Sequence, residues 1–303
     1  MRKDLLSIDD LTAEEARELL SLAGRLKSGA AEHSLPGKTL ALVFEKPSLR
    51  TPVTFEVGMT QLGGHAIYLS MQDIGLGQRE SVSDVAQNLS RWVDGIAART
   101  FAHQSAVELG EHSSIPVINA LSDHEHPCQA LADVLTLQER SKGLSGLSLA
   151  YVGDGNNVCH SLLLLAALLG MDMRVATPTS YEPNAGVLER AKALAEQSGG
   201  SVLLTDDPAL AVAQADAVYT DVWASMGDEH EAEARAEVFR PYQVNSALFG
   251  LAKPTAVAMH CLPAHRGDEI TGEVLDGPHS VVLDQAENRL HAQKAVLVSL
   301  LGG

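Results

Sequence analysis

The sequence predicts an α/β fold built as two doubly wound parallel-sheet domains. Three observations carry that prediction. Short apolar runs alternate with segments of helical periodicity along the chain. The alternation falls into two blocks, separated by the polar, Gly-containing stretch Ser141–Gly146. The length, 303 residues at 45% hydrophobic content, is enough for two cores rather than one.

In the first block, Thr12-Ala13-Glu14-Glu15 has capping-box spacing, and the leucines that follow recur at helical intervals through Leu26. Strands are expected at Thr39–Glu45, Ala66–Ser70, Gly95–Thr100 and Pro116–Ala120. Helices are expected at Val53–Leu62, Ser81–Val93, Gln104–Glu111 and Pro127–Arg140. After the break, strands are expected at Ser148–Asp154, Met173–Pro178, Val202–Asp206, Ala217–Val222, Ala256–Cys261 and Val281–Asp284, with a last helix from about Ala286 to Leu301. Repeated βα alternation of this kind makes parallel sheets. The expected domains are residues 1–142 and 143–303. Ligands of such folds sit at the carboxyl ends of strands, and the polar motifs fall there.

Composition narrows the functional classes. The formal net charge is −17, which opposes general binding to nucleic acid or an anionic membrane. A few local arginines can still hold an anionic substrate. The three cysteines, Cys128, Cys159 and Cys261, are scattered without a CxxC pair, as in a reducing compartment. The start, MRKDLLSIDD, turns acidic before any long apolar core, and the longest apolar run, Leu162–Met171, is too short to span a bilayer. A cytoplasmic protein is expected.

Four motifs and one turn carry chemistry. Glu45-Lys46-Pro47-Ser48-Leu49-Arg50-Thr51 follows a strand and precedes a helix. Hydroxyls, free helix N–H groups and a guanidinium can converge there on a phosphate. The bland alternative is a Ser cap with a surface Arg. His126-Pro127-Cys128-Gln129-Ala130-Leu131-Ala132-Asp133 opens the next helix. An imidazole and an amide at that place can donate to a carbonyl oxygen. A metal site at His124, His126 and Cys128 is the rival, although no carboxylate stands at matching spacing. Asp221-Val222-Trp223-Ala224-Ser225-Met226-Gly227 leaves a strand with a carboxylate and a Gly-bearing loop, suited to covering a cationic amine or simply an ordinary βα turn. In His260-Cys261-Leu262-Pro263-Ala264-His265-Arg266-Gly267 the thiol can face the cleft. A Cys/His nucleophile pair is weakened because neighbours on a strand face opposite sides. Gly153-Asp154-Gly155-Asn156-Asn157 is a partial dinucleotide fingerprint without its third glycine, and both Asn side chains could serve a small polar ligand.

Taken in order along nearly the whole chain, these motifs resemble the ornithine carbamoyltransferase family. KPSLRT resembles its carbamoyl-phosphate loop, and HPCQALAD resembles a motif shared in part with aspartate carbamoyltransferases. DVWASMG and HCLPAHRG resemble the segments that select ornithine. The resemblance implies transfer of a carbamoyl group from carbamoyl phosphate to the δ-amine of L-ornithine, giving L-citrulline and phosphate, as in arginine biosynthesis or, in the reverse direction, arginine breakdown. It implies that Ser48, Leu49, Arg50, Thr51, Arg99, His126, Pro127, Cys128, Gln129 and Arg289 bind carbamoyl phosphate. It implies that Asn157, Asp221, Ser225, Met226, Cys261 and Leu262 bind ornithine, and that Arg50, Arg99, His126 and Cys261 are catalytic. The first domain is then the carbamoyl-phosphate domain and the second the ornithine domain, with the last helix, about 286–301, returning to the first. A homotrimer, or a multiple of trimers, is the expected assembly.

Carbamoyl phosphate is already activated, so no metal or organic cofactor is expected. The family pattern is broken at three places: Leu49 for Thr, Pro52 for Arg, and Gly75 for a Gln that reaches a neighbouring subunit's substrate. Pro52 is expected to bias Thr51 away from helical angles. A carbamoyltransferase for another amine such as putrescine, and a non-catalytic binding relative, are the competing classes. Asp221 and the SMG loop argue against the first, and the set Arg50, His126 and Cys261 against the second.

Overall fold

The computed structural model describes residues 4–29, 34–77, 79–224 and 231–302. Contacts divide the chain into two compact units. One comprises Met1–Leu135 and Glu287–Gly303, the other Thr136–Ala286.

The first unit opens with α1 (Ala13–Lys27). Its cap is reciprocal: Thr12 Oγ1 accepts from the Glu15 N–H, and the Glu15 carboxylate accepts from the Thr12 N–H. There follow β1 (Thr39–Phe44), α2 (Arg50–Gln61), β2 (His65–Ser70), the single turn α3 (Met71–Ile74), α4 (Val82–Trp92), β3 (Gly95–Arg99), α5 (His103–His112) and β4 (Val117–Leu121). All strands pair in parallel in the order β2-β1-β3-β4. Ala41, Val43, Ile96, Ala98 and Val117 from the sheet pack with Val85, Ala86, Leu89 and Leu109 from α4 and α5. The helix α6 (Pro127–Arg140) begins in this unit.

The second unit continues with β5 (Ser148–Val152), α7 (Asn157–Leu168), β6 (Asp172–Ala176), α8 (Ala185–Ser198), β7 (Ser201–Thr205), α9 (Pro208–Val212), β8 (Ala217–Thr220), α10 (Ala232–Phe239), the single turn α11 (Ser246–Phe249), β9 (Val257–His260) and the single turn α12 (Gly272–Leu275). Its parallel sheet runs β7-β6-β5-β8-β9. The residues of α7 from Val158 to Leu168 are buried on every side, which explains why its sequence is a nearly unbroken apolar run. Among the described residues no helix is long and apolar enough to cross a membrane.

Each sheet has one place where the chain reverses its direction of travel across the strands. In the first it lies between β1 and β3, in the second between β5 and β8. Such points leave a crevice at the carboxyl ends, because the flanking helices go to opposite faces. The segments leaving these four strands are 45–49, Thr100 onward, Gly153–Asn156 and Asp221 onward.

One expected element is replaced. Val281–Asp284 is not a strand: α13 (Val282–Leu301) already starts at Val282, and only Ser280 bridges to Ala258. The two valines mimic a short buried strand, but the apolar positions beyond them continue at helical spacing, and Asp284 suits a first helical turn. From Glu287 onward α13 belongs to the first unit, where Leu290, Lys294 and Leu297 lie against Gly58 of α2.

Candidate active site

In the first unit the phosphate-loop candidate is placed by pairing. Phe44 is in register with Arg99, and the Glu45 N–H donates to the Arg99 carbonyl at 2.9 Å. The β3–β4 register slips between Ala98 and Arg99, leaving Ala120 as an extra residue on β4. Arg99 is buried, with 5% of its surface exposed. The loop then turns into α2, with the Ser48 hydroxyl accepting from the Thr51 N–H at 3.4 Å. Leu49 is 73% exposed and caps α2 without a side-chain bond.

The last helix supplies the next cation. Arg289, 2% exposed, donates to Thr51 Oγ1 at 3.1 Å and to Gln129 Oε1. Gln129 donates one amide hydrogen to Asp133 Oδ1 at 2.8 Å, so its amide is oriented by α6 itself. His126 precedes α6, and its carbonyl accepts from the Gln129 and Ala130 N–H groups. Burial, and then the guanidinium charges of Arg289, Arg99 and Arg50, hold the His126 imidazole well below the usual histidine range. Three guanidinium groups around a neutral imidazole at the start of a helix favour a small anion with a polar carbonyl end. Pro127 begins α6, where its missing N–H has no helical partner to lose. Burial pushes the Cys128 thiol up to about 11, so it remains a thiol packed under the turn.

In the second unit, β8 ends at Thr220 and β9 at His260, each earlier than the apolar run implied. Asp221 and Cys261 therefore stand just beyond their strands. The Cys261 thiol donates to Asp221 Oδ1 at 2.9 Å. Asn157 is the first residue of α7, and Leu262 is half-buried with φ at 58°, in the left-handed region that a leucine seldom occupies. Ser225 and Met226 lie outside the described residues.

Several expectations change. Pro52 does not displace Thr51, which lies inside α2: a proline in the first turn costs no helical hydrogen bond. Gly75 takes φ +60° directly after α3, and a Cβ there would stand 2.8 Å from the Arg79 Cβ. Its role is to end that turn. Gly155 is required by close approach, since a Cβ would lie 2.2 Å from the Pro183 backbone nitrogen. The partial dinucleotide fingerprint thus reflects backbone packing rather than a pyrophosphate seat. His260 does not serve Cys261 as a base. Its Nδ1 accepts from the Leu262 N–H at 2.8 Å, which places the ring proton on Nε2, facing Glu269 at 3.0 Å. This buried pair was not foreseen, and only the acidic residue nine positions on could have hinted at it.

Metal-ligating atoms do approach one another at Asp221, His260 and Cys261, all within 4.8 Å. They hydrogen-bond to one another and to Asn156, Val222, Leu262 and Glu269, and no fourth ligand stands with them among the described residues. His124, His126 and Cys128 form no such group among the described residues.

Comparison with known proteins agrees with this division of labour. Residues 3–139 match the family model of the aspartate/ornithine carbamoyltransferase carbamoyl-P binding domain, and residues 145–300 match that of the Asp/Orn binding domain. The ornithine carbamoyltransferases of Halalkalibacterium halodurans and Pyrococcus horikoshii are each 54% identical over 99% of this chain and 96% of theirs. The solved structure of ornithine carbamoyltransferase from Pyrococcus furiosus superposes with a TM-score of 0.96 at 53% identity, covering 99% of this chain and 97% of that one. That from Thermus thermophilus gives 0.91 at 51% identity, covering 99% of each. Matches to both domain models, together spanning most of the chain, and relatives 54% identical over 99% of it place the chain in the aspartate/ornithine carbamoyltransferase family.

Proposed function

We propose that this protein transfers the carbamoyl group of carbamoyl phosphate to the δ-amine of L-ornithine, releasing L-citrulline and phosphate, as a step of arginine biosynthesis. The observation that carries the reading is the convergence of Arg50, Arg99 and Arg289 on a buried imidazole. The names of the relatives support ornithine over another acceptor.

Ser48, Leu49, Arg50 and Thr51 take the phosphate, Leu49 through its backbone alone. Arg99 and Arg289 bind the same donor, and Pro127 and Cys128 shape the turn that presents His126 and Gln129 to the carbamoyl end. Asn157, Asp221 and Leu262, with Ser225 and Met226, take ornithine. Cys261 handles the amine. Ornithine's δ-ammonium resembles a lysine, with a pKa of roughly 10, and must give up one proton to solvent so that the neutral amine can attack. The neutral nitrogen then adds to the carbonyl carbon, forming the C–N bond. Arg50, Arg99, His126 and the Thr51 hydroxyl stabilise the charge on the carbonyl oxygen. Collapse breaks the bond from the carbonyl carbon to the phosphate oxygen, and the departing phosphate takes the proton shed by the nitrogen.

Self-association into a homotrimer is part of the proposal. Leu49, Val53 and Val57 recur one turn apart on α2 and are exposed, as are Ile67 and Tyr68 on the edge strand β2. Apolar surface of that kind favours a partner. The scattered free cysteines support a cytoplasmic setting.

Arg50→Ala should weaken carbamoyl phosphate binding by at least about tenfold in calorimetry; an unchanged affinity removes Arg50 from the phosphate loop. Cys261→Ala should lower turnover at saturating ornithine by about a hundredfold in a citrulline assay, and full turnover would end its role with the amine. Light scattering should return three times the 32.1 kDa chain mass, whereas a monomer would contradict the trimer.

His126 also makes stability depend on pH. An imidazole in the unfolded chain titrates near about 6.5, while the folded one gains its proton only at lower pH. Below that value the unfolded chain binds a proton that the folded chain does not, so stability falls on acidification and is unaffected above it. The thermal midpoint should therefore drop from pH 7 to pH 5, and drop less in His126→Asn. Parallel profiles for the two proteins would contradict it.

A further inference from the structure

Asp221 leaves β8 with both carboxylate oxygens engaged. Oδ1 accepts from the Val222 N–H at 2.8 Å and from the Cys261 thiol at 2.9 Å. Oδ2 accepts from Asn156 Nδ2 at 2.8 Å. Asn156 is the cap of α7, and its Oδ1 accepts from the N–H groups of Val158 at 3.0 Å and Cys159 at 3.1 Å. The Tyr151 hydroxyl reaches the same oxygen at 3.2 Å.

Three donors on one oxygen decide which way the amide faces. Turned over, its NH2 would meet three donors and its oxygen would meet a carboxylate. The Nδ2 hydrogen is therefore committed to Asp221. Tyr151 is itself fixed, fully buried and stacked on Tyr219 with ring centroids 5.6 Å apart. This changes the sequence expectation for the paired asparagines. The amide of Asn156 is consumed within the chain, and Asn157 Oδ1 also accepts from the Val158 N–H, at 2.9 Å.

We propose that Asn156, held by Tyr151, is a positioning residue that turns the Asp221 carboxylate so that Oδ1 meets the Cys261 thiol. This inference rests on the reading of Cys261 as the group that handles the amine. The donor at Oδ2 draws charge from the carboxylate. Without it, more negative charge sits beside the thiol, and the thiol keeps its proton to higher pH. Among the described residues, the ionisable groups near the pair include Tyr151, Cys159, His260 and Asp154, the last paired with Arg235 at 3.1 Å. None is altered by replacing Asn156.

Asn156→Ser separates the roles, because serine caps a helix as well as asparagine but cannot present an amide to Asp221. Tyr151→Phe keeps the ring and leaves both the cap and the carboxylate untouched. The primary readout is the pH midpoint of iodoacetamide alkylation at Cys261 without substrates, measured on the Cys261 peptide by mass spectrometry. Cys128 and Cys159 are buried and report separately. In Asn156→Ser the midpoint should rise by about half a unit or more, and kcat/KM for ornithine should fall roughly tenfold with KM for carbamoyl phosphate unchanged. Tyr151→Phe should move the midpoint in the same direction by less. An unchanged midpoint in folded Asn156→Ser overturns the proposal. Should that variant fail to fold, an unchanged midpoint in Tyr151→Phe overturns it instead. A shifted midpoint with unaltered ornithine kinetics supports the positioning role and rejects the assignment of Cys261 to the amine.

Discussion

Parallel strand pairing is the constraint on which the rest of this protein depends. A parallel neighbour can be reached only by a crossover, so every strand points its carboxyl end the same way. Where the order of travel reverses, the two crossovers diverge and leave their strand ends open. Both sheets do this once, and Arg99 and Asp221 stand at the ends of strands that flank those two places, while His126 and Cys261 follow the neighbouring edge strands β4 and β9. Arg99 ends β3 beside a slip in its register with β4. Asp221 and Cys261 stand just past their strands, which stop one residue before them.

The two groups of residues solve different electrostatic problems. Around His126 the difficulty is too much positive charge in a buried place, and the imidazole responds by staying neutral while the Arg289 guanidinium is oriented by Thr51 and Gln129. Around Asp221 the difficulty is a carboxylate at the base of a loop, and it is met with donors: a backbone N–H, an amide and a thiol. The His260–Glu269 pair works on the other side of Cys261. It ties down the Leu262 N–H and so holds a leucine in a left-handed conformation that it would not choose alone.

Much of the fold was legible in the sequence because period and punctuation agreed. Pro127–Arg140 was read to its end residues, since a proline opens it and a polar, Gly-containing break follows. The twofold alternation of strand and helix was enough for the class. Val281–Asp284 failed because two β-branched residues do not distinguish a buried strand from the first turn of a buried helix. At the site, motif order gave the residue types, and the partners came only from three dimensions. Nothing local to Asn156 says that its amide faces Asp221, which is 65 positions away. Gly155 looked like a ligand-binding glycine because the sequence cannot show the Pro183 backbone that crowds it.

Arg289 and Thr51 are 238 positions apart along the chain, and their bond closes the cation cluster. Synthesis from the amino terminus therefore produces the loop, the sheet of the first unit and His126 long before the last guanidinium emerges. A nascent chain can form all four strands of that sheet and still lack a full complement of charge for its anion. Completion of the site is thus tied to the synthesis of α13. A product truncated before its final helix would keep most of the recognisable motifs and lose the residue that joins the Thr51 hydroxyl to the Gln129 amide.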